Sequence, residues 1–234
     1  LRHVWQPDEG FRCATVQNLA TASSTGSYLV FVDGDCIPRR HFVRAIRRAA
    51  LPGWFLAGKR VQLSPELSDT LTHDSAHRPS LTMPGLLRHR RELGPWVHFT
   101  PRDRRRPWRS HLPDFWPHGN EYGFLIGVSR SDLERVNGFD ERFVGWGDHD
   151  VDLALRLGRL GLRCGYAAPR STMLHLWHES RAAVERENWH LYRETQQSDR
   201  IEAIEGLRQR GAELTRAGAD MPRPADPAAS HLDG

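Results

Sequence analysis

The sequence predicts an α/β fold in which helices pack against a sheet. Helix-like spacing at residues 13–22 gives way to a continuous apolar run, Tyr28–Val32, and helical spacing resumes at residues 41–50. A second group of strand and helix signals begins after Gly119. Strands and helices that alternate along the chain, instead of falling into separate blocks, are typical of α/β domains.

The composition is that of one ordinary globular domain with appendages. Of the 234 residues, 38% are hydrophobic and 26% are charged, which is enough apolar material for a full core. No apolar run approaches the roughly 18 residues of a membrane span, and the first residues lack the layout of a signal peptide. We therefore expect a cytoplasmic protein without a transmembrane segment.

Charge and cysteine content exclude several other classes. Cys13, Cys36 and Cys164 are too few and too widely spaced for a disulfide framework or a structural zinc site. The net charge is +4 and the pI is near 9.3, with arginine clustered at residues 88–91 and 102–109. Such a loop can contact phosphates, anionic glycans or the inner membrane surface, although most charge clusters are simply solvated. No nucleic-acid-binding motif accompanies it, so we expect no nucleic-acid partner.

The first block predicts a helix, a strand and a second helix. Gly26 and Ser27 end the first helix, and the apolar run Tyr28–Val32 predicts a buried strand that is parallel to its neighbours. The apolar face of the second helix is formed by Phe42, Val43, Ile46 and Ala49 or Ala50.

The later blocks are less regular. Residues 64–117 are rich in Pro, Arg, His and Trp, which predicts an irregular excursion that could hold an acceptor substrate. A strand at 122–128 and helices at 131–136 and 150–162 follow and complete a main domain at residues 1–181. Beyond it we predict a helical segment at 182–217 and a disordered tail at 218–234.

Asp33 and Asp35 stand where the first predicted strand ends. In open α/β sheets, ligands bind beyond the carboxyl ends of the strands. Two carboxylates separated only by Gly34 can turn toward one divalent cation, and oxygen ligands favour Mg²⁺ or Mn²⁺. A bound nucleotide diphosphate would complete the coordination shell. Because Asp and Gly are also common turn formers, a simple turn is the alternative interpretation.

A second acidic segment, Gly145-Trp-Gly-Asp-His-Asp150, leads into the helix predicted to follow it. Asp148 and Asp152 are four residues apart and share a helix face, whereas Asp150 points to nearly the opposite side. Asp150 could therefore face a cleft alone and act as a general base. All three carboxylates could instead only stabilise the start of the helix.

Two histidines, His175 and His178, lie in the apolar stretch Leu174–His178. A histidine in such surroundings is usually a satisfied core residue. The upstream Asp pair favours a third metal ligand here, but the spacing does not decide between His175 and His178.

Six stretches occur in an order that is more specific than any of them alone: His3–Arg12, Asn18, Gly26–Pro38, Val136–Glu141, Gly145–Gly147 and His175–His178. Together they closely resemble bacterial family-2 glycosyltransferases of GT-A fold and the related galactosyltransferase-type acceptor domain. The resemblance spans residues 1–181 and implies a GT-A, Rossmann-like catalytic domain followed by a C-terminal helix.

The resemblance implies an inverting enzyme of polysaccharide or glycoconjugate synthesis. It would transfer a sugar from a nucleotide-sugar donor, often UDP-linked, to a hydroxyl of a glycan or glycolipid acceptor, with Mn²⁺ or Mg²⁺ as cofactor. By position, the metal ligands would be Asp33, Asp35 and His175, the general base Asp150, the donor contacts Arg12, Asn18, Asp33 and Asp35, and the acceptor contacts Trp146, Gly147 and His149.

The sequence departs from this family in three places, one of which is Gln17, where the family usually has an arginine before Asn18. The family normally begins with strands that hold the nucleotide base, so we expect a fold that is incomplete at the N-terminus by about two βα units. His149 stands where the family has a carboxylate that contacts the acceptor. The alternative function is therefore a truncated, non-catalytic remnant that binds a glycan or a partner.

Overall fold

Helices are interspersed among the strands along the chain in the computed structural model, which confirms the predicted α/β class. The structure describes residues 2–39, 41–58, 60–73, 125–166, 172–179 and 187–210. The described helices are α1 (Cys13–Ser23), α2 (Phe42–Ala49), α3 (Pro65–His73), α4 (Arg130–Arg135), α5 (His149–Arg159) and α6 (Trp189–Gln197). The described strands are β1 (Tyr28–Val32), β2 (Cys36–Ile37), β3 (Trp54–Ala57), β4 (Arg60–Gln62), β5 (Leu125–Ser129), β6 (Arg163–Tyr166) and β7 (Met173–His175).

The strands form two sheets. The larger has the order β1-β5-β3-β6, and the smaller has the order β2-β7-β4. In the larger sheet only β3 and β6 are parallel, and β5 is antiparallel to both β1 and β3. In the smaller sheet β7 is antiparallel to β2 and parallel to β4. The chain therefore passes from the larger sheet into the smaller one through residues 33–35, between β1 and β2.

The prediction that β1 is parallel to its neighbours is wrong. Within the described sheet β1 pairs with β5 alone, antiparallel, from Tyr28 opposite Ser129 to Val32 opposite Leu125. Its apolar run has a different cause, because its two faces contact two different apolar clusters. Leu29 packs in the cluster with α4 and α5, while Val30 packs against the cluster that includes α2. Apolar cover on both faces does not determine the direction of a neighbouring strand.

Two further expectations need correction, and others fall outside the described residues. Val43 is 68% exposed, so it does not belong to the buried face of α2, which consists of Phe42 and Ile46.

The segment predicted to be irregular from residue 64 begins with a regular helix, α3. Both arginine clusters and the predicted tail lie outside the described residues.

Helix α5 is anchored by a charged pair in the core. Asp152 and Arg156 are both fully buried, and their side chains form an ion pair of 2.8 Å. Arg156 also donates to the carbonyls of Val136 and Gly138, at 2.7 and 2.9 Å, and Asp152 accepts from the Thr195 hydroxyl at 2.7 Å. One pair thus joins α5 to the turn after α4 and to α6.

Residues that follow α6 pack against the segment 137–141. Asn137 donates to the carbonyl of Ala203 at 3.0 Å, and the Arg210 guanidinium forms an ion pair with Glu141 at 2.6 Å. Asp140, whose side chain is fully buried, pairs with Arg142 at 3.0 Å and accepts from the Ile204 amide at 3.3 Å. The described C-terminal residues therefore contact the same turn that Arg156 holds.

None of the helices in the described parts of the chain combines the length and apolar character needed to cross a bilayer.

Replacing Arg156 with Met tests the anchoring of α5. The substitution leaves Asp152 as a buried carboxylate without its counter-charge, so we expect the free energy of unfolding to fall by about 3–5 kcal/mol. Urea unfolding followed by circular dichroism measures the change. Glu202→Gln is the control, because it removes an exposed pair with Arg208 and should change stability by about 0.5 kcal/mol or less. A loss at Arg156 as small as the control's would contradict the role of the buried pair.

The Asp140–Arg142 pair predicts a specific pH dependence of stability. Burial alone would raise the pKa of Asp140, but hydrogen bonds and charge from Arg142 outweigh it and lower the pKa below its ordinary 3.8. A lowered folded pKa means that the stabilisation is complete above the ordinary value and is lost as pH falls through the folded one.

We therefore expect Asp140→Asn to reduce the free energy of unfolding at neutral pH, and the difference from wild type to shrink below about pH 4. Urea titrations at several pH values measure it. A difference that stays constant down to about pH 2 would show that the Asp140 charge contributes nothing.

Candidate functional site

Asp35 lies at the junction of the two sheets. The turn that follows β1 closes with a hydrogen bond from the Cys36 amide to the Asp33 carbonyl, at 3.1 Å. The Asp35 carbonyl then accepts from the Leu176 amide at 2.9 Å, directly after β7. Gly34 is in open space, since an added Cβ there would meet nothing within 4 Å. The carboxylates of Asp33 and Asp35 are thus held on a short fixed turn with room beside it.

Both candidate histidines lie next to Asp35. The Oδ2 atom of Asp35 is 3.2 Å from Nε2 of His175 and 3.3 Å from Nε2 of His178. His175 is buried in β7, whereas His178 is 54% exposed. The Ser68 hydroxyl of α3 accepts from the Trp177 amide at 2.7 Å, which fixes the backbone between the two rings. Both His175 and His178 are therefore close enough to Asp35 to be metal ligands together with it.

These three side chains fit a divalent metal ion. One ligand atom from each of Asp35, His175 and His178 lies within 4.8 Å of the other two. The other carboxylate oxygen of Asp35 is buried and has no hydrogen-bond partner among the described residues. One carboxylate and two imidazoles are ligands suited to first-row transition metals such as Mn²⁺. Asp33, Asp35 and Cys36 form a second such group around the same carboxylate.

Burial and neighbouring charges shift the pKa values of Asp33 and His175. Burial raises the pKa of Asp33 to about 6, and the negative charges of Asp35 and Asp150 act in the same direction. Arg60 opposes them. Burial and Arg60 lower the pKa of His175 below its usual 6.5, against the effect of Asp35, so the imidazole is neutral near pH 7 and able to bind a metal.

Arg60 is a member of the site that the sequence did not reveal. It stands in β4, which pairs in parallel with β7 so that Gln62 is opposite His175 and Arg60 opposite Met173. Side chains two apart on a strand share a face, so Arg60 is on the same face as His175. Only the register of two strands more than 100 residues apart brings this cation to the Asp pair, and no local motif signals it.

The Trp146 turn has an unusual backbone. Gly145 and Gly147 have φ angles of 90° and 93°, and Asp148, the residue before α5, has a φ of 68°. A non-glycine residue in this left-handed region costs roughly 1 kcal/mol or more. Trp146 is half-buried between the two glycines. The glycines allow the chain to turn sharply into α5 with Trp146 at the tip.

Asp150 is separated from its neighbours as the helical periodicity predicts. Asp148 and Asp152 are buried, at 2% and 0% exposure, whereas Asp150 is half-buried. Its charge raises the pKa of both Asp33 and Cys13, so its carboxylate lies on the side of the Asp33–Asp35 turn. Its side chain makes no hydrogen bond with the described residues. Asp150 thus stands on a different element from Asp35, His175 and His178, with its charge within range of Asp33.

Two residues with predicted substrate contacts also have structural roles. Asn18 is fully buried and exchanges hydrogen bonds with the backbone of Phe139, and its donor contact stays a prediction. His149 is 8% exposed and its ring centroid lies 6.2 Å from that of Phe139, and its acceptor contact stays a prediction. Arg12 is at the surface, paired with Glu9 at 3.5 Å, and its donor role stays a prediction.

Comparisons with known proteins identify glycosyltransferase sequence features. Residues 111–179 match a family described as the N-terminal domain of galactosyltransferase. Two validoxylamine A glucosyltransferases, from Streptomyces hygroscopicus subsp. jinggangensis (strain 5008) and subsp. limoneus, are each 26% identical over 176 residues, or 69% of this chain. The matches cover 39% and 36% of those two proteins, so the chain spans less than half of their length. The resemblance to glycosyltransferases is thereby confirmed, while membership of family 2 stays a prediction.

Two solved structures show partial similarity. The catalytic domain of Drosophila β1,4-galactosyltransferase 7 in complex with xylobiose has a TM-score of 0.45 at 15% identity, covering 86% of this chain and 66% of that one. A mannosyltransferase from Pyrobaculum calidifontis in complex with GDP-mannose and Mn²⁺ has a TM-score of 0.41 at 18% identity, covering 90% and 56%.

A substitution at Gly145 tests the constraint on the Trp146 turn. Alanine there would have a strained φ and a Cβ in contact with the Glu187 carboxylate, so we expect Gly145→Ala to cost about 1–3 kcal/mol. Thermal or urea unfolding measures it. The matched control is Gly158→Ala in α5, where a Cβ meets nothing and stability should rise by about 0.5–1 kcal/mol. Equal effects of both substitutions would contradict the strained turn.

Proposed function

We propose that the chain transfers a sugar from a nucleotide-sugar donor to an acceptor hydroxyl, with inversion at the anomeric carbon. One observation carries the proposal: Asp35, in the turn after β1, lies beside His175 and His178, and the charge of Asp150, on a separate helix, acts on Asp33 in the same turn. The galactosyltransferase-type match over residues 111–179 and the glucosyltransferase relatives support the same reaction class.

Asp35, His175 and His178 would hold the metal ion, and Mn²⁺ suits these ligands better than Mg²⁺ because two of the three are imidazoles. When bound, the metal offsets the charge that develops on the departing diphosphate. The buried, unpartnered carboxylate oxygen of Asp35 is the observation that favours an ion here. Asp33 would contribute through the same turn, either as a further ligand or through a water molecule.

Arg60 would bind the diphosphate of the donor. It is the cation whose charge acts on both Asp33 and His175. A guanidinium can donate two parallel hydrogen bonds to phosphate oxygens and keeps its charge at any working pH. It would therefore hold the leaving group beside the metal ligands and stabilise the negative charge left when the sugar–phosphate bond breaks.

Asp150 would act as the general base. It would take the proton of the acceptor hydroxyl as the acceptor oxygen bonds to the anomeric carbon and the bond from that carbon to the diphosphate oxygen breaks. Its half-buried position, without hydrogen bonds to the described residues, leaves its oxygens available to an acceptor. Trp146, at the tip of the adjacent turn, would supply an aromatic surface for the acceptor sugar.

The test is metal-dependent turnover of UDP-glucose, UDP-galactose or GDP-mannose, with validoxylamine A and xylobiose as acceptors. We expect EDTA to abolish turnover and Mn²⁺ to restore it. Asp150→Asn should lower transfer by about 100-fold or more, because an amide cannot accept the proton. Glu202→Gln, an exposed substitution remote from these residues in the sequence, serves as the control and should leave the rate unchanged.

Measuring metal binding distinguishes the role of metal ligand from the role of general base. In Mn²⁺ titrations followed by electron paramagnetic resonance, Asp35→Asn and His175→Ala should lose the bound ion, whereas Asp150→Asn should keep it. Turnover that is indifferent to EDTA, or to Asp150→Asn, would overturn the proposal. Acceptor binding without any turnover of the three donors would instead support the non-catalytic glycan-binding alternative.

A further inference from the structure

Asn188, the residue immediately before α6, is buried against the Trp146 turn. It is 3% exposed, and its side-chain Nδ2 donates to the carbonyls of Gly145 at 3.4 Å and Gly147 at 3.1 Å. The two acceptors flank Trp146 on either side. Asn188 lies beyond residues 111–179, the segment that matches the galactosyltransferase family.

The turn needs such an external support. Gly145, Gly147 and Asp148 are in left-handed conformations, and the turn belongs to neither a strand nor a helix, so its carbonyls lack regular backbone partners. On its other side, the Gly145 amide donates to the Phe11 carbonyl at 2.8 Å. Among the described residues, Asn188 and Phe11 thus hydrogen-bond the backbone at Gly145 and Gly147 from outside the turn. A conformation of this kind persists when the surroundings determine it.

Asn188 is itself held in a fixed position relative to α5. Thr195 of α6 donates to Asp152 at 2.7 Å, and Arg159 at the end of α5 donates to the Thr195 carbonyl at 2.9 Å. Asn188 therefore extends from a helix that is docked on α5 to the turn that begins α5. Together these contacts fix the orientation of the first turn of α5, which carries Asp150, relative to the Trp146 turn.

From these contacts we infer that Asn188 is a positioning residue for the acceptor: it fixes the Trp146 turn, and through it Trp146 and Asp150, without touching the substrate. The effect of Asn188 on the acceptor rests on the proposed function, whereas its stabilisation of the Trp146 turn does not. Loss of Asn188 should weaken use of the acceptor and spare the donor, because the Asp35, His175 and Arg60 group stands on other elements.

The decisive substitution is Asn188→Asp. It keeps the size and shape of the side chain but replaces the donating amide with a carboxylate oxygen that faces two carbonyls. Asn137→Asp is the matched control. Asn137 is equally buried, at 1% exposure, and likewise donates to a backbone carbonyl, that of Ala203 at 3.0 Å, but it contacts the C-terminal segment and not the Trp146 turn.

Hydrogen exchange measured by mass spectrometry tests the hold on the turn without any substrate. In peptides that cover residues 143–149, Asn188→Asp should raise amide exchange about tenfold or more, the effect expected from losing two hydrogen bonds. Asn137→Asp should leave these peptides unchanged and raise exchange near Ala203. Unchanged exchange in Asn188→Asp, or the same increase in both variants, would overturn the inference.

Kinetics with the donor and acceptor pair found active for the wild-type chain test the acceptor role. Asn188→Asp should raise the acceptor KM about tenfold and leave the donor KM and Mn²⁺ affinity within about twofold. An equal rise in both KM values, or none, would overturn the acceptor role. A wild-type chain that turns over none of the donors would refute the proposed function. The hydrogen-exchange measurement would still show whether Asn188 stabilises the Trp146 turn.

Discussion

The buried pair of Asp152 and Arg156 is the interaction on which the position of α5, and with it Asp150, depends. Removing two charges from water is costly, and hydrogen bonds from the neighbours offset part of this cost: the carbonyls of Val136 and Gly138 accept from Arg156, and Thr195 donates to Asp152. The same few bonds join α5 to the turn after α4 and to α6. The helix that carries the candidate base is therefore fixed in its first turn, at Asp152, two residues from Asp150.

The site combines two separately supported halves. The metal half stands on the ends of strands, where Asp35 meets His175 and His178, with Arg60 brought in by the β4–β7 pairing. The base half stands on α5 and the Trp146 turn. Without a ligand, this arrangement of charges is electrostatically unfavourable. The carboxylates of Asp35 and Asp150 repel that of Asp33, and among the described residues Arg60 is the one group acting on Asp33 that opposes them. A divalent cation and a diphosphate would relieve part of that repulsion and complete the charge balance.

The sequence predicted the parts of the site that follow from local periodicity. Asp35 at the end of an apolar run and Asp150 opposite the buried pair of acids both stand where the patterns put them. Arg60 and Asn188 could not be found this way, because each reaches the site through pairing or packing between segments distant in sequence. The same limit explains the direction of β1, since apolar cover on both faces is compatible with a parallel or an antiparallel neighbour. It also explains why the hydrogen bonds of Asn18 with the backbone of Phe139, 121 residues away, were not predicted.

The central claim is that one metal ion is bound by Asp35 and the two histidines, beside the diphosphate and apart from Asp150. Crystals of the chain with Mn²⁺ and UDP, with data collected at the manganese absorption edge, test it most directly. We expect a single strong anomalous peak in contact with Asp35, His175 and His178, with the diphosphate between the ion and Arg60. A peak coordinated by Asp150, or bound UDP that leaves the Asp-His cluster without an ion, would contradict the account.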